Sequence, residues 1–141
     1  MSNATLVEIV GGGTSGTPSG EVVSVQSPGL VVLSGTIASG DATGLSGVIQ
    51  TNGVPVVGII MPATWTSASM SFLGSVDGST YQNVYDQYGN ELVLTVASAR
   101  SIYLDAYIYL TAFNSLKARS GTAALPVAQG SDRIVQLVTS P

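Results

Sequence analysis

Neither cysteine nor histidine occurs anywhere in the 141 residues. Their absence excludes disulfides, thiolate chemistry, Ser-His-Asp and Cys-His catalysis, and the usual zinc sites. Charge is almost as scarce. Only 9% of residues are charged, against 45% that are hydrophobic, and the net charge is −4. A soluble protein needs charge to keep it apart from its neighbours, so much of this surface is expected to lie against partners. The four basic residues, Arg100, Lys117, Arg119 and Arg133, are scattered. Binding to the phosphate backbone takes many cationic contacts, so direct binding of nucleic acid is not expected. Long apolar runs are missing too. The longest, Gly53 to Ala63, is broken by Pro55 and Pro62 and is too short to span a bilayer. The opening Met1-Ser-Asn-Ala-Thr has no basic stretch, which argues against a signal peptide.

Catalytic motifs are equally thin. There is no Gly-x-Ser-x-Gly elbow, Asn114 stands three residues before Lys117 where Ser-x-x-Lys needs serine, and Leu116 precedes that lysine where a P-loop needs glycine. Gly11, Gly13 and Gly16 match the dinucleotide fingerprint by letter, but Thr17-Pro-Ser-Gly20 follows where a helix must start. Asn3-Ala-Thr5 matches a glycosylation sequon by spacing, without a secretory signal to give it meaning. Asp77 and Asp86 invite a paired-carboxylate hydrolase, or a calcium site with Asn90 and Glu91. The plainer reading makes each the first residue of a turn, a role aspartate favours. The expectation is a protein that is not an enzyme and has no cofactor and no metal.

What is present is β-structure. In Ser67 to Val76, Ala68, Met70, Phe72, Gly74 and Val76 alternate with the mostly polar set Ser67, Ser69, Ser71, Leu73 and Ser75. That period of two marks a strand with one buried face. Asp77-Gly78 supplies a hairpin turn, and Tyr81, Val84 and Tyr85 resume a β-favouring run. Further strands are expected at Leu30–Ile37, Thr43–Gln50, Glu91–Val96, Arg100–Leu110, Asn114–Ser120 and Asp132–Thr139. Val54–Met61, nearly all apolar after the Asn52-Gly53 turn, reads as a central strand covered on both faces. Roughly eight to ten short strands with regular turns, and no amphipathic helix, predict an all-β fold, a β-sandwich with jelly-roll or Greek-key connections.

Residues 1–28 differ in composition. Two short apolar pieces, Ala4–Val10 and Glu21–Val25, flank the glycine-rich Gly11–Gly20. They read as an extended N-terminal arm and linker ahead of a sandwich domain at 29–141. Leu6, Val7, Ile9 and Val10 could add a strand to a neighbour's sheet edge, which would satisfy their backbone groups. Tyr103-Leu-Asp-Ala-Tyr-Ile-Tyr-Leu110, read as one strand, sets Tyr103, Asp105, Tyr107 and Tyr109 on one face. Leu104, Ala106, Ile108 and Leu110 then face the core. The tyrosines are candidates for binding a sugar or a protein partner; ordinary cross-strand pairing, or a bend at Asp105-Ala106, is the alternative.

Three stretches carry a resemblance: Gly58-Ile-Ile-Met-Pro-Ala-Thr-Trp65, Met70-Ser-Phe-Leu-Gly-Ser-Val-Asp-Gly-Ser-Thr-Tyr81 and Leu116-Lys-Ala-Arg-Ser-Gly-Thr122. With them the chain resembles small β-sandwich proteins encoded among the virion genes of tailed bacteriophages. The most recognisable piece is Ser75-x-Asp77-Gly78-x-x-Tyr81. The resemblance implies a non-enzymatic virion component, a capsid decoration (cement) protein or head fibre. It also implies a homotrimer seated on the major capsid protein or another virion protein, with the arm clamping a neighbour. The alternative is a carbohydrate- or receptor-binding module of a phage fibre or tail.

Overall fold

The computed structural model describes residues 29–105 and 110–141. The N-terminal arm expected at 1–28 lies outside them. Among the described residues there are eight strands and no helix. They are β1 (Val31–Ile37), β2 (Val56–Ile60), β3 (Met70–Ser75), β4 (Gln82–Asn83), β5 (Val93–Leu94), β6 (Ser101–Tyr103), β7 (Ser115–Ser120) and β8 (Arg133–Thr139). All pairings are antiparallel. The first sheet runs β1-β8-β2-β6. In the second, β7 pairs with the whole of β3, while β4 and β5 pair with opposite ends of β3, dividing its other edge between them.

The two sheets share one apolar core, the arrangement of a β-sandwich. Ile37, Val56, Ile59, Val135 and Leu137 enter it from the first sheet; Met70, Phe72, Leu94, Leu116 and Ala118 enter from the second. Trp65 closes one side from its loop, and its Nε1 donates to the Ala68 carbonyl at 3.0 Å. The strand β2 does not alternate strictly. Val57 is an extra residue between the pairs Val56↔Thr139 and Gly58↔Val138, so the inward positions are Val56, Ile59 and Met61. This bulge lets an unbroken apolar run keep its register. Contrary to the expectation of two covered faces, Val57 and Ile60 are only half-buried.

The hairpin opening at β3 forms as its pattern requires, with Leu73↔Asn83 and Gly74↔Gln82 paired across it. Two details differ from the expectation. Val76, assigned to the buried face, is 75% exposed, because β3 ends at Ser75 and the chain turns away. The serine face is not a solvent face: Ser71 is buried against Arg119 and the Gly121 carbonyl, and Ser75 is buried within its own turn against Asp77 and Gly78. The strand expected at Thr43–Gln50 appears only as bridges, Leu45↔Arg119 and Ile49↔Leu116 to β7 and Ile37↔Ser46 to β1. The Ser46 hydroxyl, rather than a main-chain carbonyl, accepts the Ala118 amide at 2.9 Å, which interrupts a regular ladder. This segment joins the two sheets along one edge. The Asn52-Gly53 turn has positive φ at both residues and a Val54 N–H to Thr51 carbonyl bond of 3.0 Å, a type I′ turn.

Gly74 is required by close approach. A Cβ there would stand 2.5–2.7 Å from the Phe113 ring, which lies against the β3 backbone. Gly74→Ala must displace that ring and is expected to destabilise the fold by about 1–3 kcal/mol in urea denaturation. An unchanged midpoint would contradict this packing.

Candidate functional site

Register fixes which residues share the outer face of the first sheet. One row across it reads Val32, Val138, Gly58, Tyr103; the next reads Ser34, Gln136, Ile60, Ser101; a third begins Thr36, Ile134. No residue in these rows is charged. Tyr103 is 81% exposed, Ile134 55% and Val32 46%. Leu30, just before the edge strand β1, and Val31, its first residue, are exposed as well. β-branched residues suit a strand on either face, so the local sequence builds this surface without needing to bury it.

Of the residues singled out for partner binding, Tyr103 lies on this face, at the outer edge of β6. Leu6, Val7, Ile9, Val10, Tyr107 and Tyr109 lie outside the described residues, as do Ala106 and Ile108. Where the tyrosine run is described, Leu104 and Leu110 are buried and Tyr103 and Asp105 exposed, but the strand expected at Arg100–Leu110 pairs only over Ser101–Tyr103 and Leu110 has a positive φ.

The two aspartates considered as a catalytic pair are turn residues. Asp77 accepts hydrogen bonds from the Ser79 and Thr80 amides, both at 2.8 Å, and from the Ser75 hydroxyl at 2.9 Å. Those donors, Thr80 and Ser79 first, hold its pKa down at about 2. Asp86 accepts from the Asn90 and Tyr88 amides, and its pKa is lowered chiefly by Asn90. A shallow groove beside this hairpin is lined by Val76, Gln82, Asn83, Tyr85 and Phe113, and its one carboxylate is Asp77, already committed to the turn. Among the described residues no three acidic side chains converge on a point where a metal ion could be held.

Two polar clusters were not legible in the sequence. Arg119, on β7, is 6% exposed and lies on the serine face. Its Nη2 meets Glu91 Oε2 at 2.7 Å, Nη1 reaches Asn83 Oδ1 at 2.8 Å, and Nε donates to Ser71 Oγ at 2.9 Å. Glu91 also accepts the Ala123 amide, tying the β4–β5 hairpin and the loop after β7 to one guanidinium. Arg133, at the start of β8, is 8% exposed among Thr64, Thr66, Gln129 and Ser131. Two of the four basic side chains are therefore inside the molecule. The partners of Arg119 and two of those of Arg133, Thr64 and Thr66, are distant in sequence and come within reach only in the folded chain, whereas Gln129 and Ser131 are local to Arg133.

Comparison with protein-family models, with curated proteins and with solved structures finds no match.

Two outcomes follow from this geometry. The Asp77 carboxylate has a folded-state pKa below its ordinary 3.8, so it stabilises the fold at pH above that value, and the effect disappears as pH falls towards 2. Thermal unfolding of wild type and Asp77→Ala should differ at pH 6 and converge near pH 2; a pH-independent gap would refute it. Glu91→Ala strands the buried Arg119 charge and is expected to cost about 3 kcal/mol in equilibrium unfolding. A cost below about 1 kcal/mol would mean that the other acceptors compensate.

Proposed function

We propose that this chain is a non-enzymatic structural protein that works in a permanent assembly, a capsid decoration (cement) protein of a tailed-bacteriophage head. The observation that carries the reading is the uncharged outer face of the β1-β8-β2-β6 sheet, with Val32, Ile134 and Tyr103 exposed on it. An open sheet face without charge favours contact over free solvation. The resemblance to virion sandwiches supplies the setting: a homotrimer on the major capsid protein that bridges capsomers and is assembled in the host cytoplasm. On this reading the arm, through Leu6, Val7, Ile9 and Val10, adds a strand to a neighbour's sheet. The connections between sheets are of jelly-roll or Greek-key type.

A second reading has one observation in its favour. Tyr103, 81% exposed on the same face, is the kind of aromatic platform on which a sugar stacks, so a carbohydrate- or receptor-binding module of a fibre or tail is the rival.

Light scattering after size exclusion separates them. The wild type is expected to run as a stable trimer. Ile134→Lys, which sets a charge on the face, is expected to reduce it to monomer while leaving the circular dichroism unchanged. A wild-type monomer that is retained on immobilised glycan, and released by Tyr103→Ala, would replace the first reading with the second. A wild-type monomer with neither property would overturn both.

A further inference from the structure

The two buried arginines are neutralised differently. Arg119 has the Glu91 carboxylate at 2.7 Å. Arg133 has no carboxylate oxygen within 4 Å among the described residues. Its Nε donates to Gln129 Oε1 at 3.0 Å. Its Nη1 donates to Thr64 Oγ1 at 2.6 Å and Ser131 Oγ at 2.7 Å. Its Nη2 donates to Thr66 Oγ1 at 3.4 Å, and the second Nη2 proton has no acceptor among the described residues. All these acceptors are neutral. The adjacent Asp132 is on the opposite side of the chain, where its Oδ1 takes the Ser39 amide at 2.8 Å. A guanidinium removed from water without a counter-charge is costly, and an anion in contact with it removes much of that cost.

The surroundings are built to receive one. Gln129, 1% exposed, is saturated: its Oε1 accepts from the Thr66 amide and Arg133, and its Nε2 donates to the Thr66 carbonyl and the Ser120 hydroxyl. It fixes the guanidinium from below. Thr64, Thr66 and Ser131 are exposed residues whose hydroxyl oxygens already accept from Arg133. A hydroxyl that accepts from a cation keeps its own proton to donate. The site therefore offers one free guanidinium N–H, a full positive charge and three hydroxyl protons, and nothing in it needs a donor.

We propose that Arg133, Thr64, Thr66 and Ser131 form a binding site for an oxyanion, either a free tetrahedral ion of the sulfate or phosphate kind or a carboxylate from a neighbouring copy of this chain. The site is independent of the outer sheet face.

The test uses the full-length, ¹⁵N-labelled protein in chloride buffer. Sodium sulfate is titrated in at constant ionic strength while the Arg133 Nε–H and the Thr66 and Gly130 amides are followed. Saturable shifts confined to these signals support a free-ion site. Thr64→Val combined with Ser131→Ala leaves the guanidinium in place and is expected to weaken sulfate binding at least about tenfold. If the carboxylate of a neighbouring copy already fills the site, sulfate produces no shift in the concentrated protein. Dilution then moves the Arg133 signal together with a fall in mass by light scattering. Absence of both responses, or a double variant that binds sulfate as tightly as wild type, overturns the proposal.

Discussion

Strand β3 is buried on both faces and paired on both edges, and most of the remaining architecture follows from giving it neighbours. Phe72 and Met70 anchor the apolar core on one face, while Ser71 and Ser75 lie buried on the other. A buried hydroxyl needs partners, and the nearest strand provides them. Arg119 crosses from β7 to Ser71, and the Ser71 hydroxyl donates to the Gly121 carbonyl at 2.7 Å. Glu91 and Asn83 meet the buried Arg119, which ties the β4–β5 hairpin to β7. The ion pair is thus a consequence of where β3 sits. Its geometry, with each guanidinium nitrogen donating to an acceptor and one of those acceptors a carboxylate, is what makes burial tolerable.

The scarcity of charge acquires a spatial meaning once the fold is known. Half of the basic residues are spent in the interior, and Lys117 lies over the Tyr81 ring, 4.6 Å from its centroid. The acidic turn residues Asp41, Asp77 and Asp86 accept from the backbone amides of Thr43, Ser79 and Asn90 within their turns. Little charge remains to keep the outer face of the first sheet wet. That face and the Arg133 cluster are two different kinds of unfinished surface, one apolar and extended, the other ionic and local.

Much of the sheet content was legible because strand periodicity is local. β1, β3, β7 and β8 lie within the stretches expected to be strands, β3 from its alternation, and the turns at Asn52-Gly53 and Asp77-Gly78 follow from residues that tolerate positive φ. In the strand expected at Glu91–Val96 only Val93–Leu94 pairs, although Leu92, Leu94 and Val96 all pack on the core. The weak points were positions where a side chain competes with the ladder or where an outer layer covers a face. Ser46 replaced a main-chain acceptor, Val57 became a bulge, and Ser71 looked like solvent surface but proved to be interior. Of the candidate site residues, Tyr103 could be placed on an exposed face by its spacing alone.

By itself the sequence determined the class of structure and the chemistry that was missing. Alternating apolar residues and glycine-bearing turns specify strands, and a chain without cysteine or histidine has no thiolate or imidazole to use. Tertiary structure decided which polar residues are buried and which apolar ones are left outside. Arg119 and Arg133 look like surface charges in a one-dimensional pattern, and Val32 and Ile134 look like core. Burial is a property of what packs on top of a residue. In an antiparallel sandwich that neighbour comes from strands distant in sequence, so no local window contains it.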